Sequence, residues 1–265
     1  LGASVSAATL MSVGASLLIG IVAIVLLALA VSFAIGRALG LSRRMAMLVA
    51  CGNSICGNSA IAAVAPVIGA EGKDVTAAIA FTGLLGVATV LTLPLAGAAL
   101  HLGALQFGVL SGLTVYAVPQ VLAATAPAGA VAIQIGALVK LVRVLMLGPV
   151  CFAAALLSRR WSREDGVATG GGVRTPPSLA RLAPWFIIGF LALAALRSFG
   201  ALPALAIKPA AEAAGVLTVI SMAALGLCTD LRCVVRAGPR VAATVTLSLV
   251  GLGAMSLGLI TLIWR

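Results

Sequence analysis

The sequence predicts an all-α, polytopic membrane protein with an inverted repeat and discontinuous (broken) transmembrane helices. Hydrophobic residues make up 62% of the chain and charged residues only 9%, and the mean hydropathy is +1.24. These values exclude an ordinary soluble globular protein. The 30 glycines and the aromatic share of 4% favour closely packed helices over a barrel with aromatic girdles. Turn-forming residues interrupt two of the apolar segments, which predicts breaks within those helices.

Apolar runs of spanning length predict about eight transmembrane helices. They cover residues 13–36, 45–69, 75–99, 107–126, 128–158, 184–201, 208–231 and 240–264. Basic residues cluster after the first run, after the fifth and before the last, and strict alternation places these connections on one side. The positive-inside rule makes that side cytoplasmic and places the connection with Glu71, Lys73 and Asp74 outside. This topology explains the net charge of +11, so no nucleic acid partner is predicted.

A polar stretch divides the chain into two membrane halves. Residues 159–183 contain TGGG and TPP, a composition typical of a flexible linker, here on the cytoplasmic side. The predicted halves are therefore residues 1–158 and 184–265. Because this topology starts outside without a recognisable targeting segment, we expect further spans to precede residue 1.

A short segment recurs near the two ends of the chain. LGASVSAATLMSVG at 1–14 and LGLCTDLRCVVRAG at 225–238 align without gaps, and each is followed by an apolar run. The predicted topology places the two copies at opposite membrane faces. Inverted repeats of this kind are typical of secondary transporters, although Leu-Gly pairs also recur by chance in such a composition.

The stretch ACGNSICGNSAIAAVAPV at 50–67 predicts a break in the second run. Asparagine, serine and glycine are unfavourable inside helices, because their side chains compete for backbone groups or leave the backbone flexible. A half-helix beginning near Ser59 would direct free N–H groups toward an anion, whereas a small-residue packing face is the alternative. The candidate substrate-binding residues are Asn53, Ser54, Cys56, Gly57, Asn58 and Ser59.

A second interruption, GLTVYAVPQVLAA at 112–124, resembles the first in layout. Pro119 removes a backbone donor and bends the helix, and a simple proline kink is the alternative. The candidate binding residues in this segment are Thr114, Tyr116 and Gln120.

Two cations lie inside the fifth apolar run, in IGALVKLVRVLML. Lys140 and Arg143 are three residues apart and so share one helix face. Charge at membrane depth is costly and usually functional, which makes both residues candidates for binding a small anion. The alternative is that they hold carbonyl groups at the broken helices.

These segments resemble the YeiH-type family of bacterial inner-membrane proteins, which are regarded as sulfate exporters. The resemblance also covers PWFIIGFL at 184–191 and MAALGLCTDLR at 222–232. It implies a fold related to the bile acid/sodium symporters, with crossed broken helices, and it implies transport. Relatives commonly carry a histidine followed by an acid where this chain has Val115 to Gln120, so proton transfer through those two groups is not expected here.

The predicted function is secondary transport of sulfate, sulfite or an organosulfonate by alternating access, in the export direction, in the bacterial inner membrane. Thr229 and Asp230 are candidates for binding a coupling proton or sodium ion, although Asp230 could instead pair with Arg232 or Arg236. An intramembrane enzyme and an anion channel are the alternatives. One histidine and six acidic residues leave no evident triad, zinc site or carboxylate pair. We therefore predict no enzyme activity, no cofactor and no metal, and leave a homodimer open.

Overall fold

The computed structural model describes residues 7–164 and 238–264, with isolated helical positions between 196 and 227. No strand occurs among these residues, so the predicted all-α membrane protein is confirmed. Thr229, Asp230, most of the predicted repeat and the linker beyond residue 164 lie outside the described residues. The helices are α1 (Ala7–Ala38), α2 (Arg43–Cys51), α3 (Asn58–Ile68), α4 (Gly72–Ala99), α5 (Ala104–Thr114), α6 (Val118–Thr125), α7 (Ala130–Leu145), α8 (Leu147–Glu164) and α9 (Pro239–Ile263).

Four helical stretches within the described part are long and apolar enough to cross a membrane. They are Ser16–Ala38, Gly72–Ala99, Ala130–Ser158 and Pro239–Ile263, and they agree with the predicted runs at these positions. The predicted runs 45–69 and 107–126 differ, because each forms two short helices instead of one long helix.

The run 45–69 forms a helical hairpin, which we call hairpin 1. After α2, a π-helical turn covers Gly52–Cys56, and Gly57 then adopts φ 63° and ψ −125°. Such a positive φ is readily adopted by glycine alone, and here it reverses the chain into α3. The two limbs pack closely, since a Cβ atom on Gly52 would lie 2.9 Å from Cδ1 of Ile61.

α2 begins and α3 ends at the same end of the molecule, which we call the Ser42 end. A cavity of about 660 Å³ there is lined by Ser42 before α2, Lys73 and Asp74 in α4, and Arg240 in α9. The pKa of Glu71 is lowered there, chiefly by the hydrogen bond and charge of Lys73 and also by the charge of Arg44.

The predicted placement of Glu71, Lys73 and Asp74 on the side opposite residues 37–44 is therefore wrong. Hydropathy measures the apolar length of a segment and not its direction. Two half-length helices joined by a reversing glycine add up to one spanning length, and so they imitate a single transmembrane helix.

The run 107–126 forms a second hairpin, hairpin 2, from α5, a turn at Val115–Ala117 and α6. α5 runs parallel to α7, as two contacts in the same order along both helices show: Gly108 packs on Ala132, and Gly112 packs on Gly136. α6 returns along α7, so that Val121 and Thr125 also lie against Gly136.

α5 begins and α6 ends near the other end of α4, beside His101, which we call the His101 end. Gly97, near the end of α4, packs against Phe107 in α5, whereas Gly86, near the middle of α4, packs against Tyr116 and Gln120. The two hairpins therefore enter from opposite ends and run toward the same level.

Helices α1 and α9 pack antiparallel beside the hairpins. Gly36 lies against Thr244 near the Ser42 end, and Gly20 lies against Leu259 further along. Each glycine allows close approach, because a Cβ atom at either position would crowd the partner side chain.

Candidate functional site

The two hairpin tips meet halfway along α4. We define tip 1 as residues 53–57 and tip 2 as residues 115–117. The Tyr116 hydroxyl donates a 2.8 Å hydrogen bond to Oδ1 of Asn53, and a Cβ atom on Gly57 would lie 3.0 Å from Cβ of Tyr116. Thr82, in the first half of α4, donates a 2.7 Å hydrogen bond to Oδ1 of Asn58. These contacts place the junction near the middle of the spanning helix.

Lys140 connects the two tips through their main-chain carbonyl groups. Its Nζ donates to the carbonyl oxygen of Ile55 at 2.5 Å and to that of Val115 at 2.9 Å. The last carbonyls of a helix have no partner within the helix. A cation at that end satisfies them and also interacts favourably with the helix dipole.

Arg143 makes the same kind of connection with its planar fork. Nε donates to Ser54 O at 3.1 Å and Nη2 donates to Asn53 O at 3.0 Å. Nη1 donates to Gly112 O at 2.9 Å and to Val115 O at 3.3 Å. The guanidinium group thus bonds the end of α5 as well as tip 1.

Both cations are fully buried, with 0% of each residue exposed. Among the residues whose side chains the structure describes, no carboxylate lies within ion-pair distance of either one. Buried charge is stabilised by pairing or by hydrogen bonds, and here main-chain carbonyls supply the hydrogen bonds without supplying a full negative charge.

The amino-terminal ends of α3 and α6 face the same junction and form its accessible part. α3 begins at Asn58, which is half-buried, and Ser59 is exposed. α6 begins at Val118, also half-buried, after Ala117, whose N–H donates to Oε1 of Gln120 at 3.1 Å. Helix amino termini carry a partial positive charge of about half a unit, so both ends add to the positive potential.

Two serine hydroxyls near the junction are buried without a hydrogen-bond partner among the described residues. They are Oγ of Ser54 in tip 1 and Oγ of Ser111, one turn before tip 2. A buried hydroxyl normally has a partner, so these two groups are available to a small polar ligand.

The structure brings the predicted site residues of both hairpins and α7 to one junction. These residues are Asn53, Ser54, Cys56, Gly57, Asn58, Ser59, Thr114, Tyr116, Gln120, Lys140 and Arg143. The Thr114 hydroxyl donates to Leu110 O at 2.7 Å within its own helix. The contacts of Lys140 and Arg143 are the carbonyl contacts of the alternative interpretation, and direct binding of an anion by these side chains stays a prediction.

Sequence reasoning missed three contributors to the junction. Thr82 and Gly86 lie four residues apart on one face of α4 and contact the two hairpins. The carbonyl oxygen of Val245 in α9 accepts a 3.1 Å hydrogen bond from Nδ2 of Asn53. The small residues of α4 were a usable signal, because their spacing marks one close-packing face, but nothing in the sequence indicates a particular carbonyl.

This geometry defines a class of protein, namely an all-α membrane protein in which two opposed helical hairpins meet at a buried cation pair. The chain belongs to the UPF0324 family of membrane proteins, which confirms the YeiH-type resemblance. The family described as Conserved hypothetical protein 698 matches residues 1–245.

Relatives from distant bacteria share most of the chain. A UPF0324 membrane protein of Brucella suis is 56% identical over 261 residues, which cover 98% of this chain and 74% of the relative. One from Bradyrhizobium diazoefficiens is 54% identical over 260 residues, or 98% and 72% of the two chains. One from Lactiplantibacillus plantarum is 36% identical over 213 residues, or 78% and 62%. No solved structure matches this chain.

Proposed function

We propose that the protein is a secondary transporter of a small anion, with sulfate, sulfite or an organosulfonate as the substrate class. The observation that supports this most directly is the buried pair of Lys140 and Arg143 at the contact of two opposed hairpins. Bound anions at membrane depth need fixed positive charge, because helix dipoles alone contribute only about 0.3–2 kcal/mol each.

The charge balance at the junction favours an anion with one or two charges. Two helix carboxyl ends carry about half a negative charge each, and two helix amino ends carry a similar positive charge, so these four ends cancel. The two side-chain cations add two positive charges. The described groups therefore leave roughly two positive units. A sulfate dianion would neutralise that excess, and a sulfite or sulfonate would neutralise part of it.

The direction of the hairpins supports alternating access. Hairpin 1 lies between the junction and the Ser42 end, and hairpin 2 lies between the junction and the His101 end. Each hairpin therefore separates the junction from one side of the membrane. In secondary transporters a site formed by broken helices stays fixed while one repeat moves against the other to open each side in turn. A channel would need both paths open at once.

The groups proposed to bind the anion are the unpartnered Ser54 hydroxyl, Asn58 and Ser59 at the start of α3, and the remaining donors of Lys140 and Arg143. Thr114, Tyr116 and Gln120 would line the side formed by hairpin 2. Thr229 and Asp230 stay candidates for a coupling ion. Export, the bacterial inner membrane and a homodimer complete the proposal as its further expectations.

Exchange in proteoliposomes tests the proposal. Vesicles preloaded with unlabelled sulfate, sulfite or an alkanesulfonate are diluted into labelled sulfate, and a carrier should accumulate label transiently by counterflow. Lys140→Gln should lose exchange, and Arg37→Gln is the matched control, because Arg37 is an exposed cation that donates to Leu41 O and does not line the cavity at the Ser42 end. Linear, non-saturating uptake without counterflow would indicate a channel, and absence of any anion flux would contradict the proposal.

A further inference from the structure

We propose that the ammonium group of Lys140 occupies a monovalent-cation site that the main-chain carbonyls of the two hairpin tips form, and that a free ammonium ion can replace it. The inference goes beyond the proposed function, because it concerns the cation that holds the junction together, whatever the protein carries. Only its consequence for ion coupling rests on the proposed function.

The geometry at Nζ is that of a bound cation. Its partners, Ile55 O and Val115 O, come from different hairpins and lie at 2.5 and 2.9 Å. They are 60 residues apart in the chain and meet at the ends of two half-helices, where unwound carbonyls coordinate small cations in broken-helix transporters. In this protein the cation is covalently attached through α7.

The two hydrogen bonds from Lys140 both hold its ammonium group in place and stabilise its charge. Lys140 uses two of its three donors on these carbonyls. Among the described residues, the charged or titratable groups that face it are Arg143 on its own helix and Cys56 in tip 1, and neither is a carboxylate. Removing the side chain would take from Ile55 O the bond to Nζ and remove one of the links between the tips, whereas Val115 O would keep its bond from Arg143.

The truncated variant Lys140→Ala therefore should carry a cavity of suitable size and polarity for a small cation. Ammonium reproduces the donors of the lost group, and methylammonium also replaces the terminal carbon of the side chain. N-methyl-D-glucamine is too large to enter a site formed by two hairpin tips. Lys140→Met fills the space with an apolar chain and serves as the matched control without a site.

The test measures the unfolding temperature of purified protein in detergent at constant chloride and ionic strength. For Lys140→Ala, replacing N-methyl-D-glucamine by ammonium or methylammonium should raise the unfolding temperature by several degrees, with saturation. Lys140→Met and the wild type should show no such difference. If transport is established, the wild type should also exchange anions equally well with ammonium present or absent.

Two results would overturn the proposal. One is a Lys140→Ala variant whose unfolding temperature is the same in all three salts. The other is a wild-type protein that ammonium or methylammonium stabilises to saturation relative to N-methyl-D-glucamine, since its cation site would then not be filled by Lys140. The second measurement holds even if Lys140→Ala does not fold, and neither depends on finding the transported anion.

Discussion

The hydroxyl of Tyr116 and the side-chain oxygen of Asn53 lie 2.8 Å apart, although 63 residues separate them in the chain. Tyr116 belongs to tip 2 and Asn53 to tip 1, so this bond joins two hairpins that enter from opposite ends. The amide nitrogen of Asn53 continues the link to Val245 O in α9. One buried asparagine therefore connects three parts of the molecule.

Replacing Tyr116 by Phe should destabilise the protein by about 1–3 kcal/mol, because it leaves Oδ1 of Asn53 buried without a partner. Thermal unfolding in detergent measures the loss. Thr92→Val is the matched control, since the Thr92 hydroxyl is exposed and bonds only within its own helix. Equal unfolding temperatures for Tyr116→Phe and the wild type would mean that this bond does not hold the tips together.

Arg143→Lys should be much less stable than the wild type despite the preserved charge. A lysine ammonium group is a point charge and cannot reproduce a planar fork that reaches carbonyls of both hairpins. A hydrogen bond to a charged group contributes about 1.5–3 kcal/mol, and an ammonium group cannot keep all four that the guanidinium group makes. The yield of monodisperse protein and its unfolding temperature report the effect. Wild-type values would refute the structural role assigned to the guanidinium group.

Gly57→Ala should destabilise tip 1 for two separate reasons. The combination of φ 63° and ψ −125° is unfavourable for alanine by about 1–3 kcal/mol, and the added Cβ would press on Tyr116. Gly251→Ala in α9 is the control, because nothing lies within 4 Å of its Cβ position and alanine favours a helix. The unfolding temperature should therefore fall in the first variant and stay level or rise in the second.

Replacing Ser54 by Ala should affect anion binding without affecting the stability of the protein. The Ser54 hydroxyl makes no hydrogen bond among the described residues, so its removal should leave the unfolding temperature nearly unchanged. If the hydroxyl donates to a bound anion, the affinity should fall by about ten- to a hundredfold, since such a bond contributes roughly 1.5–3 kcal/mol. Calorimetry with sulfate or sulfite measures this. Ser256→Ala is the control, because its buried hydroxyl donates only to Leu252 O of its own helix and its removal should leave the affinity unchanged.

The hairpin topology predicts which residues can be labelled from the same side of the membrane. Cysteine introduced at Ser42 or at Lys73 should react with an impermeant maleimide from one side, and cysteine at His101 from the other. The basic residues near Ser42 favour the cytoplasm for the first side. If positions 42 and 73 reacted from opposite sides, residues 45–69 would form a single spanning helix, and hairpin 1 would be wrong.

The sequence predicted which residues meet at the junction better than it predicted the path of the chain. Glycine, asparagine and proline are poor residues for a helix interior, so the two breaks and the residues around them could be located from local preference alone. Whether a broken segment continues or reverses depends on one backbone conformation, that of Gly57, and on packing between segments distant in sequence. For the same reason, Lys140 and Arg143 were recognisable as costly buried charges, while their carbonyl partners were not.

The bonds to Arg143 also affect the order in which the protein assembles during synthesis. Tip 1 emerges from the ribosome long before its partner, because Ser54 and Asn53 precede Arg143 by 89 and 90 residues. At synthesis rates of 5–20 residues per second, the interval is roughly 5 to 18 seconds. During that time the carbonyls of tip 1 lack the side chains that satisfy them, and hydrocarbon cannot supply a substitute. Hairpin 1 must therefore wait in a hydrated or chaperoned position until α7 arrives, so its final insertion is a late step in the biogenesis of the protein.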